Sequence, residues 1–210
     1  MAELSKTRIV RGPFRGAKVY LDKSNSRRKI YGLYEHVLNK WLEEKIGLHD
    51  TFIDVGANNG YHTFGFAHAA LRSGKVPYVI AVEPDDLKEL EEPRSWPEYA
   101  GCKIEIINKF CSNKTAENEI ALGDIVTPLD GGLIKIDIEG HESEVMQGAA
   151  ALVDDARFDW CIEIHGDERI PEIASYFCEA KRPFLIFDLR KLPFLKPEPR
   201  TLHTTWLVTI

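Results

Sequence analysis

The stretch from Thr51 to Thr63 limits what this chain can fold into more than any other, because it joins an apolar segment to closely spaced glycines. It reads Thr-Phe-Ile-Asp-Val-Gly-Ala-Asn-Asn-Gly-Tyr-His-Thr, which predicts a strand, a glycine turn and the start of a helix. Glycines allow a sharp backbone turn, and the N-terminus of a helix presents free N–H groups. The pattern is typical of a site for a nucleotide-type ligand.

The residues of this turn also indicate which ligand it suits. A dinucleotide fingerprint has a second glycine where the backbone touches the pyrophosphate, and here that position is Asn58. Asp54 ends the strand with a carboxylate, which repels phosphate and attracts an ammonium or sulfonium group. Glu83 ends the next apolar segment 23 positions after Gly60 (83 − 60), close to the offset of about 20 residues expected for a carboxylate that binds ribose hydroxyls. This combination favours S-adenosylmethionine over a nicotinamide dinucleotide.

Predicted strands and helices alternate along the chain, which indicates an α/β fold with a mainly parallel sheet. The predicted strands are 17–21, 51–55, 78–83, 102–110, 132–139, 158–165, 183–189 and 203–210, the last antiparallel to its predecessor. The predicted helices are 32–46, 61–72, 85–92, 142–153 and 168–181. With 210 residues, 44% of them hydrophobic, the chain can bury one sizeable core. We therefore expect one domain over residues 51–210, with residues 1–50 as an N-terminal extension that packs on it.

Ionisable side chains alternate with apolar ones in two predicted strands, 132–139 and 158–165. They are Lys135, Asp137, Glu139, Glu163 and His165. An isolated buried charge costs several kcal/mol, so such groups persist only when they are paired or used. Lys135 and Glu163 can neutralise each other across the two strands. The other three lie nearer the strand ends, where open α/β sheets bind ligands, so we interpret them as functional residues.

These blocks resemble the FkbM-type S-adenosylmethionine-dependent methyltransferases. The resemblance is carried by residues 52–63, 82–84, 133–142 with 148–149, and 162–165, in matching order. It implies the class I methyltransferase fold, which is a seven-stranded, mostly parallel, doubly wound (Rossmann-like) sheet with one antiparallel strand. It also implies methyl transfer to a hydroxyl group of a sugar, a glycan or a small metabolite.

The resemblance also implies roles in binding S-adenosylmethionine. The residues concerned are Asp54, Gly56, Asn58, Gly60, Glu83, Phe110 and Asp137. Asp54 and the turn that follows it would surround the methionine end, and Glu83 would accept hydrogen bonds from both ribose hydroxyls. Asp137 would lie beside the sulfur that carries the methyl group. Phe110 would contact the adenine, although the run Phe110–Asn113 lacks the acid that the family has there.

Methylation of a hydroxyl group requires a base that removes its proton, or a metal ion that lowers its pKa. The candidate catalytic residues are Lys135, Asp137, Glu139, His141, Glu163 and His165. In one hypothesis, one of the two histidines is the base and Glu139 or Glu163 orients it. In the other, Asp137, Glu163 and His165 hold a divalent cation such as Mg²⁺ or Mn²⁺. Because Lys135 already supplies positive charge, we expect no metal here.

Composition limits the classes of partner. A formal net charge of −6 and a pI near 5.7 argue against a dedicated nucleic-acid binder, whose surface would be basic. No apolar run approaches the roughly 20 residues that span a bilayer, and the N-terminus lacks the apolar region of a signal peptide. The four cysteines show no C-x-x-C spacing. We therefore expect a cytoplasmic protein with reduced thiols.

Other functions stay open at this point. They are N-methylation of a protein or nucleic-acid amino group, a non-catalytic module that binds a partner in the cofactor cleft, and an NAD-dependent oxidoreductase. The Asn/Asp-Pro-Pro-Tyr type of signature common in amino-group methyltransferases is absent after Asp137. The acidic strand ends argue against a non-catalytic module. Asp54 and Asn58 argue against an NAD-dependent oxidoreductase. We expect a small-molecule or glycan acceptor, recognised by the N-terminal segment, 84–101 and 190–202. The last of these, a proline-rich loop, can also serve a homodimer.

Overall fold

The computed structural model describes residues 4–188 and 204–210, and in them the expected α/β fold is confirmed. The strands are β1 Leu4–Arg8, β2 Lys18–Asp22, β3 Thr51–Val55, β4 Tyr78–Val82, β5 Lys103–Ile107, β6 Phe110–Ser112, β7 Glu119–Ala121, β8 Gly132–Ile136, β9 Phe158–His165, β10 Phe184–Asp188 and β11 Thr204–Thr209. The α-helices are α1 Arg27–Ile30, α2 Asn39–Leu48, α3 Tyr61–Arg72, α4 Lys88–Arg94, α5 Leu122–Val126, α6 Glu142–Ala149 and α7 Ile170–Glu179. Short 3-10 helices cover His36–Leu38, Pro97–Tyr99, Ala150–Leu152 and Asp167–Arg169.

Seven of these strands form the central sheet, in the order β10-β11-β9-β8-β3-β4-β5. The pairs among β9, β8, β3, β4 and β5 are parallel, whereas β11 is antiparallel to both of its neighbours. The prediction of seven strands with one antiparallel member is confirmed. The start of the last predicted strand at His203 and the predicted loop 190–202 lie outside the described residues.

The sheet is buried on both faces because its strands are apolar on both sides. Along β3, Phe52 packs into one buried cluster, while Ile53 and Val55 pack into the other on the opposite face. Phe52 also stacks on Phe66 of α3 with a ring-centroid distance of 4.7 Å. Such strands read as continuous apolar runs in the sequence. Charged groups within them therefore stand out.

The N-terminal segment differs from the prediction of one helix over 32–46, which is wrong. Glu35 has a left-handed φ of 46°, which a continuous α-helix does not contain, so the α-helix begins only at Asn39. A strand that the prediction missed, β1, pairs antiparallel with β2. Val19 and Leu21 of β2 share a buried cluster with residues of α3. The segment thus packs on the core, while its division from the core at residue 51 stays a prediction.

The predicted strand 102–110 is also wrong in its length, because β5 ends at Ile107. The side chain of Asn108 donates to the backbone oxygens of Glu83 and Pro84, each at 2.9 Å, and this holds the chain in a turn. Phe110 then begins β6, which pairs in parallel with β7 in a separate two-stranded sheet. The turn brings this small sheet next to the carboxyl end of β4.

Gly56 allows β3 and β8 to lie side by side up to their carboxyl ends. The backbone N–H of Asp137 donates to the oxygen of Val55 at 2.9 Å. Gly56 itself has a φ of 79°, and a Cβ atom there would overlap the backbone oxygen of Asp137. Only glycine permits this turn at this separation.

A buried ion cluster ties α2 to the far side of the sheet. Asp159 on β9 contacts the ammonium of Lys45 at 3.1 Å and the ring of His49 at 2.8 Å, and accepts a hydrogen bond from Thr209 at 2.8 Å. Burial raises the pKa of Asp159, but the hydrogen bonds from His49, Thr209 and Lys45 outweigh it and hold that pKa well below its ordinary range. The carboxylate of Asp159 is therefore ionised in the folded protein at neutral pH.

We expect Asp159→Asn to lower the free energy of unfolding by about 3 kcal/mol at pH 7, because it leaves buried Lys45 without its counter-charge. Since the folded pKa of Asp159 is depressed, its contribution is complete above the unfolded pKa of about 3.9 and is lost as the pH falls from there. Urea unfolding at several pH values measures both effects. The exposed Asp154→Asn is the matched control. Equal stability of the two variants at pH 7 would contradict the prediction.

Candidate functional site

A cleft of about 1190 Å³ opens at the carboxyl ends of β3, β4, β8 and β9. Ten of the residues predicted to form the site line it, and they are Gly56, Asn58, Glu83, Phe110, Lys135, Asp137, Glu139, His141, Glu163 and His165. Two predicted residues do not line it, namely Asp54 and Gly60. The cleft therefore joins the two unusual sequence blocks, as expected for the edge of a parallel sheet.

The turn after β3 is tied to the end of β4 by Glu83. One oxygen of this carboxylate accepts the backbone N–H of Asn58 at 2.7 Å, and the other accepts that of Asp85 at 3.1 Å. Asn58 has a left-handed φ of 47°, which asparagine tolerates better than most residues. Each oxygen of the Glu83 carboxylate keeps a lone pair for a further donor.

Asp54 lies beneath this turn and not in the cleft. It is 1% exposed, and one of its oxygens accepts the hydroxyl of Thr63 at 2.6 Å. The other oxygen, Oδ1, has no hydrogen-bond partner among the described residues. Burial raises the pKa of Asp54, and the opposing effects of Lys135, His62 and Thr63 do not cancel this rise.

Gly60 directly precedes α3 as its N-cap residue. It has a left-handed φ of 73°, and its Cβ position is filled by the ring of Phe64, which lies 2.6 Å away. Gly60 thus serves the packing of the helix start. Phe110, by contrast, is not part of the packed interior. It is 58% exposed and lines the cleft from β6.

A buried cation lies at the centre of the site. The ammonium of Lys135 donates to Oδ2 of Asp137 at 3.0 Å. Burial lowers the pKa of Lys135, but the carboxylates of Asp137, Glu35 and Asp54 outweigh it and raise that pKa above its ordinary value. Lys135 therefore stays charged, and it holds one oxygen of Asp137 in place.

His165 forms the second centre, at the end of β9. Its Nδ1 lies 2.6 Å from Oε1 of Glu142, the first residue of α6. Its Nε2 lies 3.8 Å from oxygens of both Asp137 and Glu163. Burial lowers the pKa of His165, but the bond to Glu142 and the charges of Asp137, Glu142 and Glu139 outweigh it and raise that pKa. The imidazole is thus oriented by one carboxylate and faces two others.

The other predicted histidine is placed differently. The side chain of His141 is 68% exposed, and its Nδ1 lies 3.6 Å from a carboxylate oxygen of Glu144. Glu139 is exposed too, and its φ of 44° marks a strained turn after β8. Both residues lie at the rim of the cleft.

The same groups offer ligand atoms for a cation. One atom each from Asp137, Glu163 and His165 lies within 4.8 Å of the other two. A mixed set of oxygen and nitrogen ligands suits Mg²⁺ or Mn²⁺. The geometry is therefore compatible with both hypotheses drawn from the sequence, a histidine base and a bound metal.

The sequence reasoning missed several residues of the site. They are Glu142, which orients His165; Glu35, whose carboxylate lies 3.3 Å from the ring of His62; and Lys29 with Asn59 at the turn after β3. Glu142 and Asn59 belong to blocks that had been singled out, but they were given no role there. The other contacts join distant parts of the chain, and no spacing rule predicts them.

None of the helices in the described ranges has the length and apolarity needed to cross a bilayer. The expected cytoplasmic location and homodimer stay predictions.

Comparisons with known proteins bear on the family. Residues 118–183 match the sequence model of the methyltransferase FkbM domain. Among curated proteins no similar sequence is found. A solved FkbM methyltransferase from Methylobacillus flagellatus KT is 18% identical with a TM-score of 0.59, and the match covers 89% of this chain and 57% of that one. The present chain thus spans little more than half the length of that protein.

Two further solved structures share the fold. The precorrin-6y C5,15-methyltransferase from Geobacter metallireducens GS-15 is 9% identical with a TM-score of 0.52, over 79% of this chain and 82% of that one. The hMettl16 catalytic domain in complex with MAT2A 3'UTR hairpin 1 is 10% identical with a TM-score of 0.53, over 81% and 66%. At these identities the matches establish the fold and not the substrate. The chain therefore has the class I methyltransferase fold, and its predicted resemblance to the FkbM methyltransferases is confirmed.

Proposed function

We propose that this chain is an S-adenosylmethionine-dependent methyltransferase that acts on a hydroxyl group of a sugar, a glycan or a small metabolite. The observation that carries the proposal is the pair of His165 and Glu142, which lies beside Asp137 in the same cleft as Glu83. One end of the cleft thus has the groups that a nucleoside needs, and the other has a base held by a carboxylate.

The residues present fit the cofactor. Glu83 has acceptor capacity for ribose hydroxyls beyond its two backbone contacts, and Phe110 presents an exposed ring for the adenine. Gly56 and Asn58 would line the methionine end, and the orphaned oxygen of Asp54 would act from below the turn, directly or through water. A cation bound above Asp54 favours the ionised form of that carboxyl. When bound, the cofactor supplies a methyl group attached to a sulfonium.

His165 would remove the proton from the acceptor. The contact with Glu142 assigns the proton of the neutral imidazole to Nδ1, which leaves Nε2 as the acceptor that faces the cleft. Glu163 and Asp137 lie 3.8 Å from this nitrogen and would stabilise the imidazolium once it forms. Lys135 would keep the carboxylate of Asp137 oriented, so that Asp137 can also face the cationic end of the cofactor.

A hydroxyl acceptor agrees with this set of groups better than an amine does. A hydroxyl group has a high pKa and needs a base to become a nucleophile, and His165 with Glu142 supplies one. Glu139 and His141, at the rim, would hydrogen-bond neighbouring hydroxyls of the acceptor. A nucleic-acid acceptor would bring phosphates close to Asp137, Glu139 and Glu163, which repel them.

We expect labelled methyl groups to move from S-adenosylmethionine into one fraction of a metabolite extract, where mass analysis of the product identifies a methyl ether. With His165 as the base, this transfer continues in excess chelator. Loss of transfer in chelator that added Mg²⁺ or Mn²⁺ restores would instead favour a metal on Asp137, Glu163 and His165. A methylated amine as the product would rule out the hydroxyl acceptor.

We expect Glu83→Gln to weaken the binding of S-adenosylhomocysteine by about 10- to 100-fold, because hydrogen bonds to a charged carboxylate contribute about 1.5–3 kcal/mol. Calorimetric titration measures the affinity. The exposed Glu43→Gln is the matched control and should bind as the unaltered protein does. If the unaltered protein binds no S-adenosylhomocysteine but binds NAD tightly, the cofactor assignment is wrong.

We expect His165→Asn to lower turnover by about 100- to 10,000-fold, the usual contribution of a general base. Because the base must be neutral, kcat/KM rises with pH through the pKa of His165, which lies above its ordinary value of about 6.5. Glu142→Gln removes the contact that raises this pKa, so the rise moves to lower pH. The pH profiles of the unaltered protein, Glu142→Gln and His165→Asn measure the shift. If His141→Asn costs as much as His165→Asn, the base is misassigned.

A further inference from the structure

The N-terminal segment contributes a lysine to the cleft that the proposed reaction does not yet use. Lys29, in the short helix α1, is half-buried and lines the cleft together with Asn59 and Tyr61. It lies outside the sequence blocks that carry the family resemblance, and outside the segment that matches the family model. Its role has to be found from its contacts.

Those contacts all belong to one part of the cleft. The Lys29 ammonium donates to Oδ1 of Asn59 at 3.0 Å, and the same oxygen accepts the backbone N–H of Tyr61 at 3.3 Å. The ammonium also lies 4.7 Å from the ring centre of Tyr34 and 5.6 Å from that of Tyr61. Lys29 is therefore fixed over the turn that joins β3 to α3, on the side of the cleft assigned to the methionine end of the cofactor.

The ammonium still has capacity for a ligand. Lysine has three N–H donors, and in the described part of the chain one of them is used, in the bond to Asn59. The two aromatic faces favour a cation without consuming a donor. Burial lowers the pKa of Lys29, and the charges of Glu35 and Asp137 only partly oppose this. An anion bound at the ammonium would stabilise the charged form of Lys29, whereas a cation bound there would be repelled by it.

We propose that Lys29 binds the carboxylate of the methionine moiety of the cofactor, and this inference rests on the function proposed above. The N-terminus of α3 supports the same ligand, because helix N-termini favour anions and this one begins directly after Asn59 and Gly60. An anionic acceptor is the weaker alternative, since the hydrogen bond and the ring contacts of Lys29 are with Asn59, Tyr34 and Tyr61 and not with His165. The N-terminal segment thus completes the cofactor site.

The test compares two ligands that differ only in the carboxylate. They are S-adenosylhomocysteine and its decarboxylated analogue, in which the amino group remains. We expect Lys29→Met to weaken the binding of S-adenosylhomocysteine by about 10- to 100-fold and to leave the binding of the analogue nearly unchanged, since one charge-assisted hydrogen bond is lost. Lys29→Arg keeps the charge and should recover most of the affinity. Calorimetric titration of the full chain gives each value.

The exposed Lys23→Met, which removes one positive charge from the same segment, is the matched control and should bind both ligands as the unaltered protein does. An equal loss for both ligands in Lys29→Met would overturn the inference, because the lysine would then only support the fold of the site. Unchanged affinity for S-adenosylhomocysteine would overturn it as well. If the unaltered protein binds neither ligand, the proposed function itself fails. Thermal unfolding of Lys29→Met and Lys29→Arg checks that both variants are folded.

Discussion

The site depends on the balance of charge around the ammonium of Lys135. This group is buried at the end of β8, where an isolated charge would be very costly, and it bonds to Asp137 at 3.0 Å. Glu35 adds negative charge from the N-terminal segment, and Asp54 of β3 does so when its carboxyl is ionised. Because three parts of the chain supply the counter-charge, the ends of β3 and β8 and the N-terminal segment are held together.

The same competition between burial and charge has different outcomes at neighbouring residues. At Asp54, burial disfavours the charged carboxylate and so raises the pKa. At His165, the surrounding carboxylates favour the charged imidazolium and so raise the pKa although burial opposes them. The first effect favours a neutral acid beneath the cofactor turn, and the second favours a charged imidazole. The rise at His165 shows that the carboxylates around it create a negative potential, which also favours a bound cation. A sulfonium donor is the kind of ligand that this potential stabilises.

The sequence predicted the centre of the fold better than its edges. The bounds of β3, α3 and β9 are those expected, because apolar runs bounded by glycines or charges leave few alternatives. The break in the predicted helix at Glu35 depends on a left-handed residue that no pattern indicates, and β5 ends early because Asn108 bonds to the backbone after β4. In the site, ten predicted residues line one cleft. The helix start at residue 142 was predicted as well, but its contact with His165 was not, because periodicity does not show which strand end a helix start meets.

The buried position of Glu35 bears on the expected division of the chain at residue 51. Its carboxylate is 1% exposed, lies 3.3 Å from the ring of His62 and raises the pKa of Lys135. If the core folded without this segment, His62 and Lys135 would both lose the carboxylate of Glu35, in buried surroundings that solvate charge poorly. Breaking a buried pair costs about 3–5 kcal/mol, a large share of the stability of a typical domain. Glu35 therefore belongs to the charge balance of the site, although it lies in the N-terminal segment and on the other side of the predicted boundary at residue 51.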